Sequence, residues 1–201
     1  MITILEYLLG KSKTSTKESI KASNKDLVQI VRKAINEYGE DIDLNYIDVS
    51  EVTVMSSLFS NTDFCGDISG WDVSNVVNMN SMFYGCREFN CDLSKWRTPK
   101  LNNTVGMFYD CRKFNCDLPG WDVSNVDYMN NMFEYCEDFN GDISSWDVSN
   151  VTEMSMMFYG CKSFDQDISK WNLDNLKKYT GIFGLCPIKE EHKPKFNTNK
   201  K

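Results

Sequence analysis

Five aspartates recur at intervals of 25 residues, and carboxylates that are spaced this regularly are candidates for a metal site. A row of carboxylates can bind calcium, which takes about six to eight converging oxygen ligands. Each of these aspartates precedes an Ile or Leu in a short polar turn, where a carboxylate more often accepts backbone N–H bonds. We therefore predict turn capping for this column. Its members are Asp67, Asp92, Asp117, Asp142 and Asp167.

The eight cysteines suggest disulfides or a metal site as alternatives. Five of them share one column, where stacked thiols behave as small apolar groups. An odd number cannot pair off completely, so we predict reduced thiols, which is typical of the cytosol. Cys91 and Cys116 form a second pair that could bridge or share a metal, but no nearby His or Cys completes a zinc site. The main column is Cys86, Cys111, Cys136, Cys161 and Cys186.

Catalysis has little support in this sequence. The single histidine, His192, lies in a polar tail, so no Ser–His–Asp or Cys–His arrangement can be built around it in a rigid site. Repeated carboxylates share one environment, whereas acid/base catalysis needs two that differ. We predict a protein that is not an enzyme and needs no cofactor or metal.

Positions that vary from one repeat to the next are the candidates for binding a protein partner. One such column is rich in tyrosine, which is common at interfaces and loses little entropy on binding. The alternative is that these tyrosines only cover the ends of local helices. The position after each tryptophan also varies. The candidates are Tyr84, Tyr109, Tyr135, Tyr159, Asp72, Arg97, Asp122 and Asp147.

All these columns belong to a 25-residue repeat that runs from about Asp43 to Cys186. A unit of this length cannot bury its own apolar side chains, but stacked units share one core. We predict that the Trp, Phe, Met, Ile/Leu and Cys columns face inward. The tryptophan column is Trp71, Trp96, Trp121, Trp146 and Trp171.

Two periodicities alternate within each repeat. Apolar residues at helical spacing predict a short helix over Asn75 to about Gly85. The preceding run Asp-Ile-Ser-x-Trp-Asp-Val predicts a short strand, and stacked strands would be parallel and about 4.8 Å apart. Pro119 limits the length of that strand, because proline cannot donate to a ladder.

The run Met-Phe-x-x-Cys-x-x-Phe-x-x-Asp-Ile/Leu-Ser-x-Trp-Asp-Val-Ser-x-Val resembles the 25-residue repeat of BspA-like leucine-rich-repeat proteins, in the variant found in mycoplasma-type surface lipoproteins. The resemblance covers residues 43 to 186. It implies an α/β repeat solenoid, a right-handed leucine-rich-repeat-like array with one short strand and one short helix per turn. It also implies a bacterial or phage origin and a binding role, and it carries no catalytic residues.

The chain divides into an N-terminal helical cap (1–42), a solenoid of about six units (43–186) and a polar, basic tail (187–201). Residues 41–186 carry 10 Lys/Arg against 22 Asp/Glu, a net charge of −12, which argues against nucleic-acid binding. We predict a non-catalytic protein-protein interaction scaffold with an acidic, Tyr-decorated surface. The alternative is a structural or adhesive component of a bacterial surface or phage particle.

In the N-terminal region, apolar residues at helical spacing predict an amphipathic helix over Asn24 to Tyr38, with Gly39 at its end. Such a helix suits the open end of a repeat array, and a partner-binding or membrane-surface helix is the alternative. The first residues lack a basic n-region and a lipobox cysteine, which favours a cytoplasmic location, whereas the resemblance implies a cell surface. No apolar run is long enough to predict a membrane span.

Overall fold

The computed structural model describes residues 19–196. Residues 1–18 of the predicted cap and 197–201 of the predicted tail lie outside the described residues. The regular elements are strand β1 (Ile20–Lys21), helix α1 (Leu27–Tyr38), strand β2 (Ile47–Asp48) and a 3-10 helix (Glu190–His192). Strands β1 and β2 pair in parallel.

Helix α1 packs one apolar face against the first repeat. It begins later than the predicted Asn24, because the Asp26 carboxylate accepts hydrogen bonds from the N–H and hydroxyl of Ser23 and holds residues 23–26 in a turn. It ends before Gly39, whose φ of 97° is a value that glycine adopts at low cost. The buried face consists of Leu27, Val31, Ala34 and Ile35.

Successive repeats lie side by side and pair in parallel. We number the repeats one to six by their opening aspartates: Asp43, Asp67, Asp92, Asp117, Asp142 and Asp167. One isolated parallel bridge joins each repeat to the next, always between equivalent positions. The bridged residues are Val54, Asn78, Asn103, Tyr128, Glu153 and Lys178.

The predicted short helix in each repeat is wrong. The stretch that includes Asn75 to Gly85 is a run of tight turns, which we call the turn ladder (residues 78–85 and their equivalents). Ser81 and Gly85 have φ of 54° and 77°, and left-handed residues four apart interrupt a right-handed helix. The predicted strand is also misplaced, because the run around Trp71 forms turns and the parallel pairing lies in the turn ladder instead.

Backbone-to-backbone hydrogen bonds between turn ladders all run in one direction. In the second repeat, alternate N–H groups donate to carbonyls of the third repeat at 2.7–3.0 Å, and the N–H groups between them do not. Every turn ladder therefore has a donor side facing the C-terminus and an acceptor side facing the N-terminus. The donors in the second repeat are Met79, Ser81, Phe83 and Gly85, and their acceptors are Asn103, Val105, Met107 and Tyr109.

Two columns of phenylalanine form the centre of the core. The ring centroid of Phe133 lies 5.5 Å from that of Phe108, 5.8 Å from that of Phe158 and 4.1 Å from that of Phe139. All four side chains are fully buried. The same stacking recurs in neighbouring repeats, so each ring is packed by the repeats before and after it.

Buried polar atoms of the core columns bond to the preceding repeat. The thiol of Cys136 donates to the Phe108 carbonyl at 2.9 Å, and equivalent thiols do the same in the second, third and fifth repeats. The indole N–H of Trp146 donates to the Leu118 carbonyl at 3.0 Å, with equivalents in three earlier repeats. The Trp171 indole is the exception and has no acceptor among residues 19–196.

The aspartate column caps turns. The Asp67 carboxylate accepts the Ser69 N–H at 2.8 Å, which lowers the pKa of Asp67, and equivalent bonds form at Asp92, Asp142 and Asp167. Pro119 removes that donor in the fourth repeat. Asp117 instead accepts the backbone N–H of Asp142 in the next repeat at 2.8 Å.

The two ends of the stack are covered differently. Both ends of helix α1 are tied to the first repeat. Before the helix, the Asn24 side chain accepts the N–H groups of residues 53 and 54, and after it the Glu40 carbonyl accepts the Cys65 N–H. The helix therefore lies across the acceptor side of the first turn ladder. At the other end the tail adds only part of a repeat, so Phe183 and Cys186 are half-buried, unlike the rest of their predicted columns.

Candidate functional site

The four tyrosines predicted from the sequence form one continuous surface feature, which we call the tyrosine stripe: Tyr84, Tyr109, Tyr135 and Tyr159. The rings of Tyr84 and Tyr109 stack with centroids 4.3 Å apart and planes 3° apart. Tyr135 then meets its two neighbours edge-on, at 5.9 Å and 5.6 Å. The stripe therefore crosses the second to the fifth repeat without a break.

Tyr135 joins the stripe from the neighbouring column. Glu134 occupies the tyrosine position of the fourth repeat, where it is buried and accepts a hydrogen bond from Asn131. Tyr135 has a φ of 59°, which turns its side chain toward the fifth repeat. Its ring covers Gly160, where an added Cβ would lie 2.7 Å from the ring. The stripe thus depends on a glycine beneath one of its rings.

A shallow groove of about 430 Å³ opens beside the N-terminal half of the stripe. One wall consists of the Tyr84 and Tyr109 rings, and the other is polar. The two rings cover one face of each other, so the ring pair is fixed where it borders the groove. The remaining lining residues are Asn61, Thr62, Asp63, Gly85, Arg87 and Asp110.

A chain of ion pairs runs along the groove and beyond it. Asp110 accepts hydrogen bonds from Nε of both Arg87 and Arg112 at 2.8 Å. Arg112 continues to Glu137 at 3.9 Å, and Lys162 reaches the other oxygen of Glu137 at 2.7 Å. These side chains alternate in sign across four repeats, so the surface beside the stripe is polar but locally balanced.

Burial and neighbouring groups shift the titration of two residues in the groove. Burial raises the pKa of Tyr109 to about 12, with Tyr84 and Glu134 adding to the effect. Burial opposes ionisation of Asp110, but hydrogen bonds from Arg112 and Arg87 lower its pKa below the ordinary value. At neutral pH the groove therefore offers the neutral phenol of Tyr109 and a carboxylate that is already paired. This arrangement suits hydrogen bonding rather than proton transfer.

The other four candidates lie elsewhere in the repeat. Asp72, Asp122 and Asp147 each accept the N–H of the serine two residues later at 3.0 Å. The Arg97 guanidinium bonds to the carbonyls of Ser94 and Trp96. These side chains stabilise their own turns, about half a repeat away along the chain from the stripe.

Arg87 and Asp110 were missed by the sequence analysis. The available signal was Asp110 itself, a carboxylate in a column otherwise containing Gly85, Tyr135 and Gly160, next to arginines at positions 87 and 112. Asp and Gly both tolerate a left-handed backbone, which the φ of 54° at Asp110 requires.

None of the eight cysteines is bridged, and no metal cluster is formed within residues 19–196. The sulfurs of Cys91 and Cys116 accept the N–H groups of Ile68 and Leu93, each 23 residues earlier in the chain. No group of three or more His, Cys, Asp or Glu side chains converges in that part of the chain. None of the helices described there is long and apolar enough to cross a membrane.

Comparison with known proteins identifies one family. Its description reads "Mycoplasma protein of unknown function, DUF285", and its model matches residues 25–138 and 117–196. The two matches together span α1, all six repeats and most of the tail. No curated protein and no solved structure matches the chain.

Proposed function

We propose that this chain, which belongs to the family of Mycoplasma proteins of unknown function DUF285, is a non-catalytic scaffold that binds another protein through the tyrosine stripe. The observation that supports this proposal is the unbroken run of four partly exposed rings across four repeats. Tyrosine side chains are held in place by their neighbours, so little conformational entropy remains to be lost on binding.

The groove and the ion pairs beside the stripe would form the polar part of this interface. Interfaces combine a central aromatic cluster with a polar rim. Arg87 uses Nε for Asp110, which leaves the terminal nitrogens of its guanidinium for a partner's carboxylate or carbonyl. Asp63 and Asn61 lie on the opposite side of the groove and supply further acceptors and donors.

We also propose that the six repeats form a right-handed, leucine-rich-repeat-like solenoid of the BspA-like kind. The parallel bridges at constant register and the shared phenylalanine core support a stack of this type. The turn ladder takes the place of the helix expected in each unit, so the proposed relation concerns the repeat and its stacking.

A capture experiment from source-cell lysate tests the binding proposal. The purified protein is compared with a stripe variant, Tyr84→Ala with Tyr109→Ala and Tyr159→Ala, and with Tyr128→Ala as a matched control. Tyr128 is 42% exposed and lies outside the stripe, so its removal controls for loss of a surface tyrosine. Thermal melting confirms that each variant is folded.

The proposal expects one protein that the wild type and the Tyr128→Ala control capture and the stripe variant does not. Equal capture by all three proteins would mean that the tyrosines only pack against each other. Capture of nothing by the wild type would shift the weight to a structural or adhesive role.

A further inference from the structure

The last turn ladder ends in a row of unpaired backbone donors. By equivalence with the earlier repeats, four N–H groups of the sixth repeat point toward the C-terminal side. None of them has an acceptor within residues 19–196. We call this row the donor edge; its residues are Tyr179, Gly181, Phe183 and Leu185.

The donor edge is open to solvent. The Leu185 side chain is 72% exposed and that of Tyr179 37%. Gly181 and Leu185 have φ of 67° and 53°, and the N–H groups of Ile182 and Gly184 between the edge residues bond within the repeat. The free N–H groups therefore recur at every second residue, as they do along the open edge of a strand.

The described part of the tail covers the apolar end of the core but accepts none of the donor-edge N–H bonds. Phe196 stacks on the Tyr179 ring at 4.8 Å and contacts Phe183 edge-on at 6.4 Å. His192 accepts the Ile168 N–H through its carbonyl, on a different part of the repeat. The tail thus contacts the side chains of Tyr179 and Phe183, while the four backbone donors keep no acceptor among residues 19–196.

Two lysines without an ion-pair partner lie close to the donor edge in the sequence. Residues 177–196 carry five lysines and two glutamates, and Lys178, Lys189 and Lys193 are paired with Glu153, Asp165 and Glu190. Lys177 precedes the edge by two residues, and Lys195 adjoins Phe196. Both side chains are exposed and neither has an ion-pair partner among the described residues. Unpaired donors and cations at one end of the stack would attract an acceptor-rich, negatively charged ligand.

A second copy of this chain fits the donor edge poorly. The acceptor side of its first turn ladder lies beneath α1, so one copy cannot stack head to tail on another. Two donor edges facing each other would oppose N–H to N–H. The segments outside the described residues do not fit either, since 1–18 and 197–201 carry more Lys than Asp and Glu.

We propose that the donor edge docks an acidic, extended segment of a partner protein, whose carbonyl and carboxylate oxygens accept these four N–H bonds. The mode is that of a peptide added to an open edge, with main-chain bonds giving affinity and side chains giving selectivity. This surface is independent of the tyrosine stripe, because it stands on different residues and a different kind of contact.

The probe is a fluorescein-labelled octapeptide of alternating Glu and Val, with a Gln-and-Val peptide as control. Binding to the full chain is followed by fluorescence anisotropy, and its site by amide shifts and hydrogen exchange in NMR. The acidic peptide should bind at low salt, slow the exchange of the four donor-edge amides, and leave the tyrosine stripe unshifted. The Gln peptide should bind at least about tenfold more weakly, since charge is expected to supply part of the affinity.

Two double variants of equal charge separate the edge from general attraction. Lys177→Glu with Lys195→Glu should weaken binding of the acidic peptide about tenfold. Lys25→Glu with Lys95→Glu, which changes exposed lysines far from the edge, should leave it within about twofold. Equal weakening by both pairs, amide shifts elsewhere, or no binding at all would overturn the proposal. Concentration-dependent dimerisation through these amides would overturn it in favour of a second copy.

Discussion

Replacing Phe133 tests whether the stacked repeats share one core. Phe133 is fully buried and its ring meets the rings of residues 108, 139 and 158 at 5.5, 4.1 and 5.8 Å. Phe183 occupies the same column at the C-terminal end, where it is half-buried. The two positions therefore have the same chemistry but different numbers of covering repeats.

The expected costs follow from burial. A buried Phe→Ala change removes about 3–5 kcal/mol of unfolding free energy, and lost ring pairs contribute about 0.5–1.5 kcal/mol each within that range or slightly above it. We expect about 4–5 kcal/mol for Phe133→Ala. At Phe183, which is partly exposed and has a complete repeat on one side only, we expect a smaller cost of about 1–2 kcal/mol.

Urea unfolding followed by tryptophan fluorescence measures both variants. With a slope of about 2 kcal/mol per molar urea, Phe133→Ala should lower the midpoint by about 2 M and Phe183→Ala by less than about 1 M. Because the stack is held together by contacts between neighbours, Phe133→Ala should also broaden or split the transition. Equal midpoint shifts for the two variants would refute a core shared between neighbouring repeats.

Three further predictions concern thiols, a glycine and an aspartate. In the native protein Ellman's reagent should react faster with Cys65 than with the other seven thiols, because Cys65 is exposed and the others are buried or half-buried. Burial also raises the pKa of the core thiols, and several thiols that react as fast as Cys65 would contradict this prediction. Gly141→Ala should cost at least about 2 kcal/mol in thermal unfolding, since a Cβ there would lie 2.2 Å from the Cys116 carbonyl, and a neutral effect would count against this backbone. The lowered pKa of Asp110 means that its stabilisation is present above pH about 4 and lost as the pH falls through the lowered value. Asp110→Asn should therefore flatten the acid dependence of stability, and an unchanged pH profile would argue against its arginine pairs.

The sequence predicted the composition of the core because every inward column repeats at a fixed spacing. Trp, Phe, Met and Cys columns are buried along most of the stack. In the described sixth repeat burial is lost at Tyr179, which takes a methionine position, and is incomplete at Phe183 and Cys186, because the tail does not supply a complete neighbour. A periodic pattern identifies which side chains pack between neighbouring repeats, but it does not show at which repeat that packing becomes incomplete.

The helix in each repeat was predicted wrongly for a specific reason. Apolar residues at i, i+3, i+4 and i+7 fit a helix, but tight turns with a bond to the third residue back place the same side chains inward. The distinguishing signal lay in two columns rich in Gly, Asn, Ser and Asp, which tolerate a left-handed backbone. The same columns also contain Met156, Leu185 and Tyr135, which have positive φ although their residue types do not indicate it. The signal is therefore visible when the repeats are compared and not when one repeat is read alone.

The sequence places three of the tyrosines in one column and Tyr135 in the adjacent column, but it does not predict the contacts between their rings. Whether Tyr135 turns toward the fifth repeat depends on Gly160 beneath its ring. The pairing of Asp110 with two arginines depends on side chains that are separated by up to 23 residues in the chain. Contacts of this kind follow from the stacking geometry, which residue spacing alone does not give.

The one-way hydrogen bonding of the turn ladder explains why the two ends differ. The first turn ladder has an acceptor side, and α1 can lie across it because an under-satisfied buried carbonyl is tolerated more often than an unpaired N–H. The sixth has a donor side, and covering it with a helix would bury N–H groups that the helix cannot accept. The donor edge must therefore face water or a partner that brings its own acceptors. The direction of the backbone hydrogen bonds, rather than any single side chain, therefore makes the C-terminal end of the stack the end at which we propose that a partner binds.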